Sequence, residues 1–367
     1  MEEVSISILS QNGINENTSN HIEEIIREEP HIYIEFTQED NRSDHDNTIL
    51  DNDFIKKNYK IINMEQSSRP LTITGGYNIV SKIFKKNDSK ITIDDNIENA
   101  VIYISTDGSI VGHTPVFSTK AAVCTKLRIN DKAMLFVNLH LPMLPSKPGL
   151  GVDARTRALN GVISNLITNG MLTNETALII GGDLNFRIDE DGTDQLSELL
   201  KTNLFTPYKS ILKDRILVEF SDTQNMFTCK LKNELNIVDN TYIKGIKECR
   251  HTAVNRDNEP QGELLTDAQK QVQKQVQQHC GVENRLPSKC DRFLISETSN
   301  TSITPLTYQA IYLEDIKSDH NAVYSIFTVS LPQNTIRSPQ KAGAKRRKHT
   351  KRNYRKRKTI KNKKSNK

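Results

Sequence analysis

The strongest local signal in the sequence is Ala177-Leu178-Ile179-Ile180-Gly181-Gly182-Asp183-Leu184-Asn185-Phe186-Arg187. Its leading apolar residues, followed by two glycines, predict a buried β-strand that ends in a turn. Because side chains alternate along an extended chain, we expect Asp183 and Asn185 on one face at the end of this strand. A carboxylate in that place can activate a water molecule, and an amide can orient it. A tight turn also favours Gly, Asp and Asn, so these residues alone leave both interpretations open.

Three more predicted strands border on polar residues suited to phosphate chemistry. They are residues 133–139 before His140, residues 32–36 before Glu39, and residues 322–329 after Asp319-His320. A carboxylate suits Mg²⁺, which takes one or two protein carboxylates and leaves its other positions to water and phosphate. An imidazole beside a carboxylate is held in one tautomer next to a phosphate. Each site alone also fits an ordinary strand end or a solvated loop, but their joint occurrence predicts divalent-metal phosphate chemistry.

The rest of the chain up to residue 331 reads as a sheet-rich α/β domain. Short apolar runs bounded by turn residues predict further strands at residues 4–9, 101–104 and 121–129. Apolar residues at helical spacing predict a helix over residues 155–167. We expect one catalytic domain over residues 1–331.

The charge distribution separates this domain from a basic tail. Sixteen of the 50 Lys and Arg lie between Arg337 and the C-terminus, whereas all 45 acidic residues precede Arg337. The tail therefore carries a charge of +16 and the remainder −11. We expect residues 332–367 to be a disordered arm that binds a polyanion, either nucleic acid or an anionic membrane, or directs nuclear import. A solubilising tail without a partner is the alternative.

Cysteine usage and hydropathy predict the compartment. The five cysteines are odd in number and lack the spacing of a zinc site. The N-terminus lacks the pattern of a secretory signal, and no apolar run is long enough to span a membrane. We expect a soluble intracellular protein, cytoplasmic or nuclear, without a transmembrane segment.

The motifs and their order resemble the endonuclease/exonuclease/phosphatase superfamily, and most closely the inositol polyphosphate 5-phosphatases. The strings RLPSKCDR and GDLNFRI carry the likeness to the 5-phosphatase branch. The motifs span residues 5 to 329 and are Asn12 in SQNG, Gln38-Glu39, Lys120 in STKAAV, His140 in NLHLP, GGDLNFRI, Thr228 and Lys230 in FTCK, residues 285–292 and SDHNAV.

The resemblance implies a four-layered α/β/β/α sandwich like that of DNase I, with two packed, mostly antiparallel sheets flanked by helices. It implies that Asn12 and Glu39 bind Mg²⁺, with Mn²⁺ as an alternative ion. Asp183 would activate the attacking water, and Asn185 would position it. His140 and His320 would contact the scissile phosphate, with Asp319 orienting His320. The residues implied to bind substrate are Lys120, Arg187, Lys230, Arg285, Asp291 and Arg292.

Three functions remain open from the sequence. The first is a metal-dependent phosphatase acting on a phosphorylated inositol or lipid headgroup. The second is a nuclease of the same superfamily, suggested by the basic tail and by two departures from the 5-phosphatase pattern, Cys229 and Glu283. A carboxylate at position 283 would repel a polyanionic ring. The third is an inactive scaffold that binds polyanions through its tail.

Overall fold

A computed structural model describes residues 2–12, 22, 26–40, 52–67, 78–112, 120–143, 148–187, 193–202, 221–222, 290–311, 320 and 322–331. All of them lie within one compact unit, Met1–Pro332. Three predicted site residues, Asp319, Lys230 and Arg285, and the predicted basic tail lie outside the described residues. The domain boundary at residue 331 and the disorder of the tail stay predictions.

Thirteen strands and three helices are described. The strands are β1 (Glu2–Asn12), β2 (Ile32–Asp40), β3 (Tyr59–Gln66), β4 (Asn78–Lys86), β5 (Glu98–Ile104), β6 (Ile110–Gly112), β7 (Lys120–Ile129), β8 (Lys132–His140), β9 (Ala177–Asp183), β10 (Ser221–Asp222), β11 (Asp291–Ser296), β12 (Ser302–Ile311) and β13 (Ala322–Leu331). The helices are α1 (Asp53–Asn58), α2 (Pro148–Thr168) and α3 (Gln195–Lys201). All of the strands predicted from apolar runs are present.

The strands form two sheets. The first has six strands in the order β12-β13-β1-β2-β4-β3, and the second has seven in the order β10-β11-β9-β8-β7-β5-β6. Among the described pairs, β1 with β2 and β8 with β9 are parallel, and the other pairs are antiparallel. The prediction of two mostly antiparallel sheets is confirmed.

Side chains alternate between the two faces of each strand, so apolar residues pack between the sheets and on the outer face of each sheet. These three apolar layers separate the four layers of a sandwich of helix, sheet, sheet and helix. Between the sheets, Ile8 and Phe36 of the first belong to one buried cluster with Phe136 of the second. On the outer face of the second sheet, apolar residues of β8 pack against α2, and on the outer face of the first sheet Tyr33 shares a cluster with Ile55 of α1. Because each sheet buries both faces, its central strands are apolar on both sides.

Helix α2 is longer than the sequence predicted. Its buried residues Ala158, Val162 and Leu166 recur at four-residue spacing, as expected for one helical face. The helix begins earlier than predicted, at Pro148, a residue favoured in the first turn because its missing N–H has no helical partner. Just past its end, Gly170 adopts a φ of 74°, a left-handed conformation that commonly terminates helices.

The inward-facing side chains become polar at one end of the sandwich. Along β1, β2, β8 and β9, apolar residues at alternate positions give way to polar ones near the carboxyl ends of these strands. The amino end of β11 lies at the same place because Asp291 pairs with Asp183. The amino end of β7 does too, since Ala121 pairs with His140. The fold therefore gathers polar side chains from six strand ends at one rim.

Candidate active site

Asp183 lies at the centre of this rim, with only 2% of its surface exposed. Its Oδ2 accepts hydrogen bonds from Asn12 Nδ2 at 2.7 Å and from Asn185 Nδ2 at 2.9 Å, and its Oδ1 accepts one from the backbone N–H of Asn185 at 2.9 Å. Three donors thus converge on one buried carboxylate. This arrangement joins the first sheet, through Asn12, to the turn after β9.

The end of β9 and the turn after it have a backbone conformation that fixes Asp183 and Asn185, unlike an ordinary surface turn. Gly182 has a φ of 127°, and a Cβ atom there would lie 2.2 Å from the carbonyl oxygen of Leu139, so any side chain would separate β9 from β8. Asn185 has a φ of 54°, a conformation that Asn tolerates better than most residues. Its Nδ2 also donates to the carbonyl oxygen of Leu141 at 2.9 Å, which fixes the amide. Asn185 is itself buried.

Glu39, Lys120 and His140 form the open side of the site. Lys120 Nζ lies 3.5 Å from Glu39 Oε1 and in contact with His140 Nε2. His140 Nε2 lies 3.7 Å from Glu39 Oε1 and 3.4 Å from Asp183 Oδ2. His140 is buried, whereas the Glu39 side chain is 32% exposed and therefore reachable by a ligand.

A break in strand pairing sets the direction of Glu39. The register between β2 and β4 shifts between Thr37 and Asp40, and Glu39 has a φ of 56°. Such a bulge bends the strand and redirects the side chain at the extra residue. The sequence placed Glu39 at a strand end, but it held no signal for this bulge.

The charges at the site shift several pKa values. Burial by itself would raise the pKa of Asp183, but nearby His320, His140 and Lys120 lower it well below its ordinary value, so the carboxyl group is ionised at neutral pH. Burial lowers the pKa of His140, and the Lys120 charge lowers it further. Burial also lowers the pKa of Lys120, against the opposing effect of Asp183 and Glu39. The surroundings thus favour the charged form of Asp183 and disfavour the charged forms of His140 and Lys120.

His320 contacts an aspartate of β11 at the rim. Its Nδ1 lies 2.7 Å from Oδ2 of Asp291, which is fully buried at the start of β11. The family resemblance implies that Asp319 orients His320 and that Asp291 binds substrate; Asp319 lies outside the described residues, and its role stays a prediction. Asp183, Asp291 and His320 offer ligand atoms that all lie within 4.8 Å of one another. The structure therefore brings His320 to the same carboxylate cluster as His140.

The two predicted arginines have different surroundings. Arg187 lies at the site, where its guanidinium donates to Asn185 Oδ1 at 3.0 Å and contacts Met143 Sδ at 3.3 Å. Arg292 does not lie there. It is 0% exposed, and its Nη2 binds both carboxylate oxygens of Asp194 at 2.7 and 2.9 Å. Because neighbouring residues of a strand face opposite ways, Arg292 points away from the face that carries Asp291.

Sequence reasoning missed a polar link beneath the site. Gln38 Nε2 donates to Asn138 Oδ1 at 2.6 Å, and Asn138 Nδ2 donates to the backbone carbonyl oxygens of Val80 at 2.7 Å and Thr37 at 3.1 Å. These bonds join the two sheets next to Glu39 and His140. Both side chains are completely buried. The sequence did hold a signal for this link. Gln38 lies two residues after Phe36 and Asn138 lies two residues before His140, so alternation along the strands turns both side chains inward.

The donor set fits a hard divalent cation. The carboxylates of Glu39, Asp183 and Asp291 and the amide of Asn12 supply oxygen atoms, which Mg²⁺ and Mn²⁺ prefer. Among the described residues, neither cysteine, Cys124 or Cys290, belongs to this group. The site is thus chemically suited to Mg²⁺ rather than to a soft metal.

A four-layered sandwich with a buried carboxylate, two imidazoles and oxygen ligands at one rim defines a class of phosphoester-hydrolysing enzymes. The family comparison specifies it further. Residues 10–249 match the Endonuclease/Exonuclease/phosphatase family 2, and the chain belongs to this family. Its members are hydrolases that act on phosphoesters. No curated protein matches the chain in sequence.

Several solved structures are similar to the chain at low identity. The inositol polyphosphate 5-phosphatase domain of SpSynaptojanin, in complex with inositol (1,4)-bisphosphate and calcium ion, is 18% identical, with 90% of this chain and 86% of that chain covered and a TM-score of 0.49. The Cimex nitrophorin ferrous NO complex is 16% identical, with 90% and 99% covered and a TM-score of 0.46. D. rerio TDP2 complexed with single strand DNA product is 13% identical, with 89% and 99% covered and a TM-score of 0.45.

In the described part of the chain, no helix is long and apolar enough to cross a membrane.

Proposed function

We propose that this chain is a metal-dependent phosphatase that hydrolyses a phosphate monoester of an inositol phosphate or phosphoinositide. The observation that carries the proposal is the buried Asp183 carboxylate, on which Asn12 and Asn185 converge and beside which His140 lies. Burying such a charge is costly unless it is paired, and a surface turn would not require it. Family membership supports phosphoester hydrolysis, and the strings RLPSKCDR and GDLNFRI support the 5-phosphatase branch.

The hydrolytic step follows from the side chains at the rim. Asp183 accepts a proton from the attacking water, and Asn185, fixed by Leu141 and Arg187, holds that water in line with the phosphorus. The water oxygen bonds to phosphorus as the ester P–O bond breaks, and the inositol oxygen leaves as an alcohol after taking a proton from solvent. His140 and His320 stabilise charge on the phosphoryl oxygens, and Asp291 holds the His320 ring in one orientation. Glu39 and Asn12 would hold a divalent ion, which would neutralise phosphate charge when bound. Positioning and electrostatics suffice for this reaction, so no covalent nucleophile is needed.

The competing candidate is a nuclease of the same family. The basic tail and the acidic Glu283 favour it, since a carboxylate suits a polyphosphorylated ring poorly. An inactive scaffold is disfavoured because Asn12, Asp183 and Asn185 are present and mutually hydrogen-bonded.

One comparison of substrates tests the proposal. The purified full-length chain is incubated with Mg²⁺ and, separately, with soluble inositol polyphosphates, phosphoinositide-containing vesicles and abasic duplex DNA. We expect phosphate release from an inositol-based substrate and no DNA nicking above that of a matched Asp183→Asn preparation. DNA nicking without phosphate release would support the nuclease, and inactivity on all three would support the scaffold.

We also propose that the basic tail recruits the domain to a polyanion, at an anionic membrane or in the nucleus. Deleting residues 341–367 should leave hydrolysis of a soluble substrate unchanged, because every proposed site residue lies at or before His320. The deletion should weaken binding to anionic vesicles or to nucleic acid, and the difference should shrink as salt rises. Equal binding of both forms at low salt would contradict a recruiting tail.

A further inference from the structure

Gln195, the first residue of α3, binds the backbone of Arg187 in both directions. The Gln195 side-chain Oε1 accepts a hydrogen bond from the Arg187 N–H at 3.0 Å, and the Gln195 N–H donates to the Arg187 carbonyl oxygen at 3.1 Å. Gln195 is only 7% exposed. Residues 184–187 have no regular secondary structure, so these bonds replace the ladder that a strand would provide.

Arg155 of α2 holds the same oxygen atom from the other side. Its Nη2 donates to Gln195 Oε1 at 2.8 Å, and its guanidinium lies 5.6 Å from the centre of the Phe186 ring. Arg155 is 3% exposed, so this is a buried, desolvated contact. One carbonyl-type oxygen thus accepts from the catalytic turn and from a helix of the outer layer. A hydrocarbon side chain of the same length could satisfy neither donor.

The hydrogen bonds that join Arg155, Gln195 and the Arg187 backbone are called the clasp here. The clasp acts on the reacting groups through the Arg187 side chain. The Arg187 guanidinium donates to Asn185 Oδ1 at 3.0 Å, which fixes the oxygen end of that amide away from Asp183. The nitrogen end then donates to Asp183 Oδ2 at 2.9 Å. If the Arg187 backbone moved, this amide would lose the contact that holds its oxygen end, and only the bonds of its nitrogen end to Asp183 and to the Leu141 carbonyl oxygen would remain. Its left-handed backbone at φ 54° gives it no regular ladder to hold it in place.

We propose that Gln195, supported by Arg155, is a positioning residue that holds Asn185 and Arg187 in their working orientation. This inference rests on the proposed hydrolytic function of the site. Neither Gln195 nor Arg155 lies in a motif that carries the family resemblance, and both act from helices on the outer face of the second sheet. Their effect on catalysis is through the turn 184–187, because they contact none of the groups proposed to react.

Two near-isosteric variants of Gln195 separate positioning from general stability. Gln195→Glu keeps an oxygen that accepts from both Arg187 and Arg155, whereas Gln195→Met keeps the length and loses the acceptor. We expect Gln195→Met to lower kcat by about 10- to 100-fold, the size expected from misplacing a catalytic group by about an ångström. Gln195→Glu should retain kcat within about threefold, because it keeps both acceptor contacts.

A control variant removes a comparable hydrogen bond far from the site. Asn52 caps α1 by accepting from the Ile55 N–H at 3.1 Å, and Asn52→Ala should cost about 1 kcal/mol of stability. If Asn52→Ala left kcat unchanged while Gln195→Met lowered it, loss of stability would not explain the effect. Equal kcat values for Gln195→Met and the wild type would overturn the inference.

Hydrogen exchange tests the clasp without relying on activity. In Gln195→Met the Arg187 amide loses its acceptor, so exchange in a peptide covering residues 184–187 should be at least about tenfold faster than in the wild type and in Gln195→Glu. Unchanged exchange would overturn the inference even if activity fell. A wild-type protein inactive on every phosphoester would defeat the proposed function, and exchange would still decide whether Gln195 holds the turn.

Discussion

Replacing Asp183 by Asn is the most direct test of the proposed mechanism. The amide has nearly the same shape as the carboxyl group but cannot act as a base. Loss of a general base typically lowers the rate by a factor of about 100 to 10,000. We therefore expect kcat on the preferred phosphomonoester to fall by at least about 100-fold, with the Mg²⁺ concentration held at saturation.

The structural cost of the same change follows from the hydrogen bonds. Asp183 Oδ2 now accepts from two amide nitrogens, Asn12 Nδ2 and Asn185 Nδ2, so a new NH₂ group there would face two donors. Turning the Asn12 amide relieves one conflict and leaves one buried donor unsatisfied, which costs about 1–3 kcal/mol. A domain stable by about 5–15 kcal/mol remains folded after such a loss.

A matched variant controls for the loss of an ionised, hydrogen-bonded aspartate. Asp107 accepts hydrogen bonds from the Ser109 N–H at 3.0 Å and from the Ser109 hydroxyl at 3.0 Å, in an exposed turn. Asp107→Asn should leave kcat unchanged. The assay is phosphate release, with denaturant unfolding of each variant as a check on folding. If folded Asp183→Asn kept more than a tenth of the wild-type kcat, another group would have to activate the water.

Three further results are expected. Chelation should abolish activity and Mg²⁺ should restore it; full activity in excess chelator would contradict metal dependence. Glu39→Gln should raise the Mg²⁺ concentration needed for half-maximal activity, because a neutral amide binds a hard cation more weakly than a carboxylate does. Arg292→Met should lower the free energy of unfolding by about 3 kcal/mol without changing KM, because Arg292 pairs with Asp194 inside the protein; a raised KM at full stability would show that it binds substrate. Burial raises the pKa of Cys290 to about 12 and also raises that of Cys124, so mass spectrometry should find both thiols unalkylated by iodoacetamide at pH 8 until the protein is unfolded.

The sequence predicted the sheets well because their cause is local. Alternating or continuous apolar residues report on burial of a strand face, and the described strands include every one expected from that pattern. The same periodicity placed Asp183 at the rim, because the inward positions of β9 pass from Ile179 through Gly181 to Asp183. The end of a strand is thus a position that sequence can locate.

Partner choice across the site could not be predicted in the same way. Asp291 contacts His320 although the two residues are 29 positions apart in sequence. Residues from neighbouring strands converge when the strands pair, and Asp319 lies outside the described residues. Asp291 reaches the rim because β11 pairs with β9 in one particular register, and no single-sequence pattern specifies that register.

The alternation of side chains along β11 also places Arg292 away from the substrate and next to the helix that carries Gln195. The resemblance placed both Asp291 and Arg292 at the site, but consecutive residues of β11 must face opposite sides, so only one of them can reach the rim. Arg292 instead binds Asp194, which caps α3, directly before Gln195. The outward residue therefore fixes the helix whose first side chain clasps the catalytic turn. In this strand, one residue holds His320 from inside the sandwich while its neighbour secures α3 from outside.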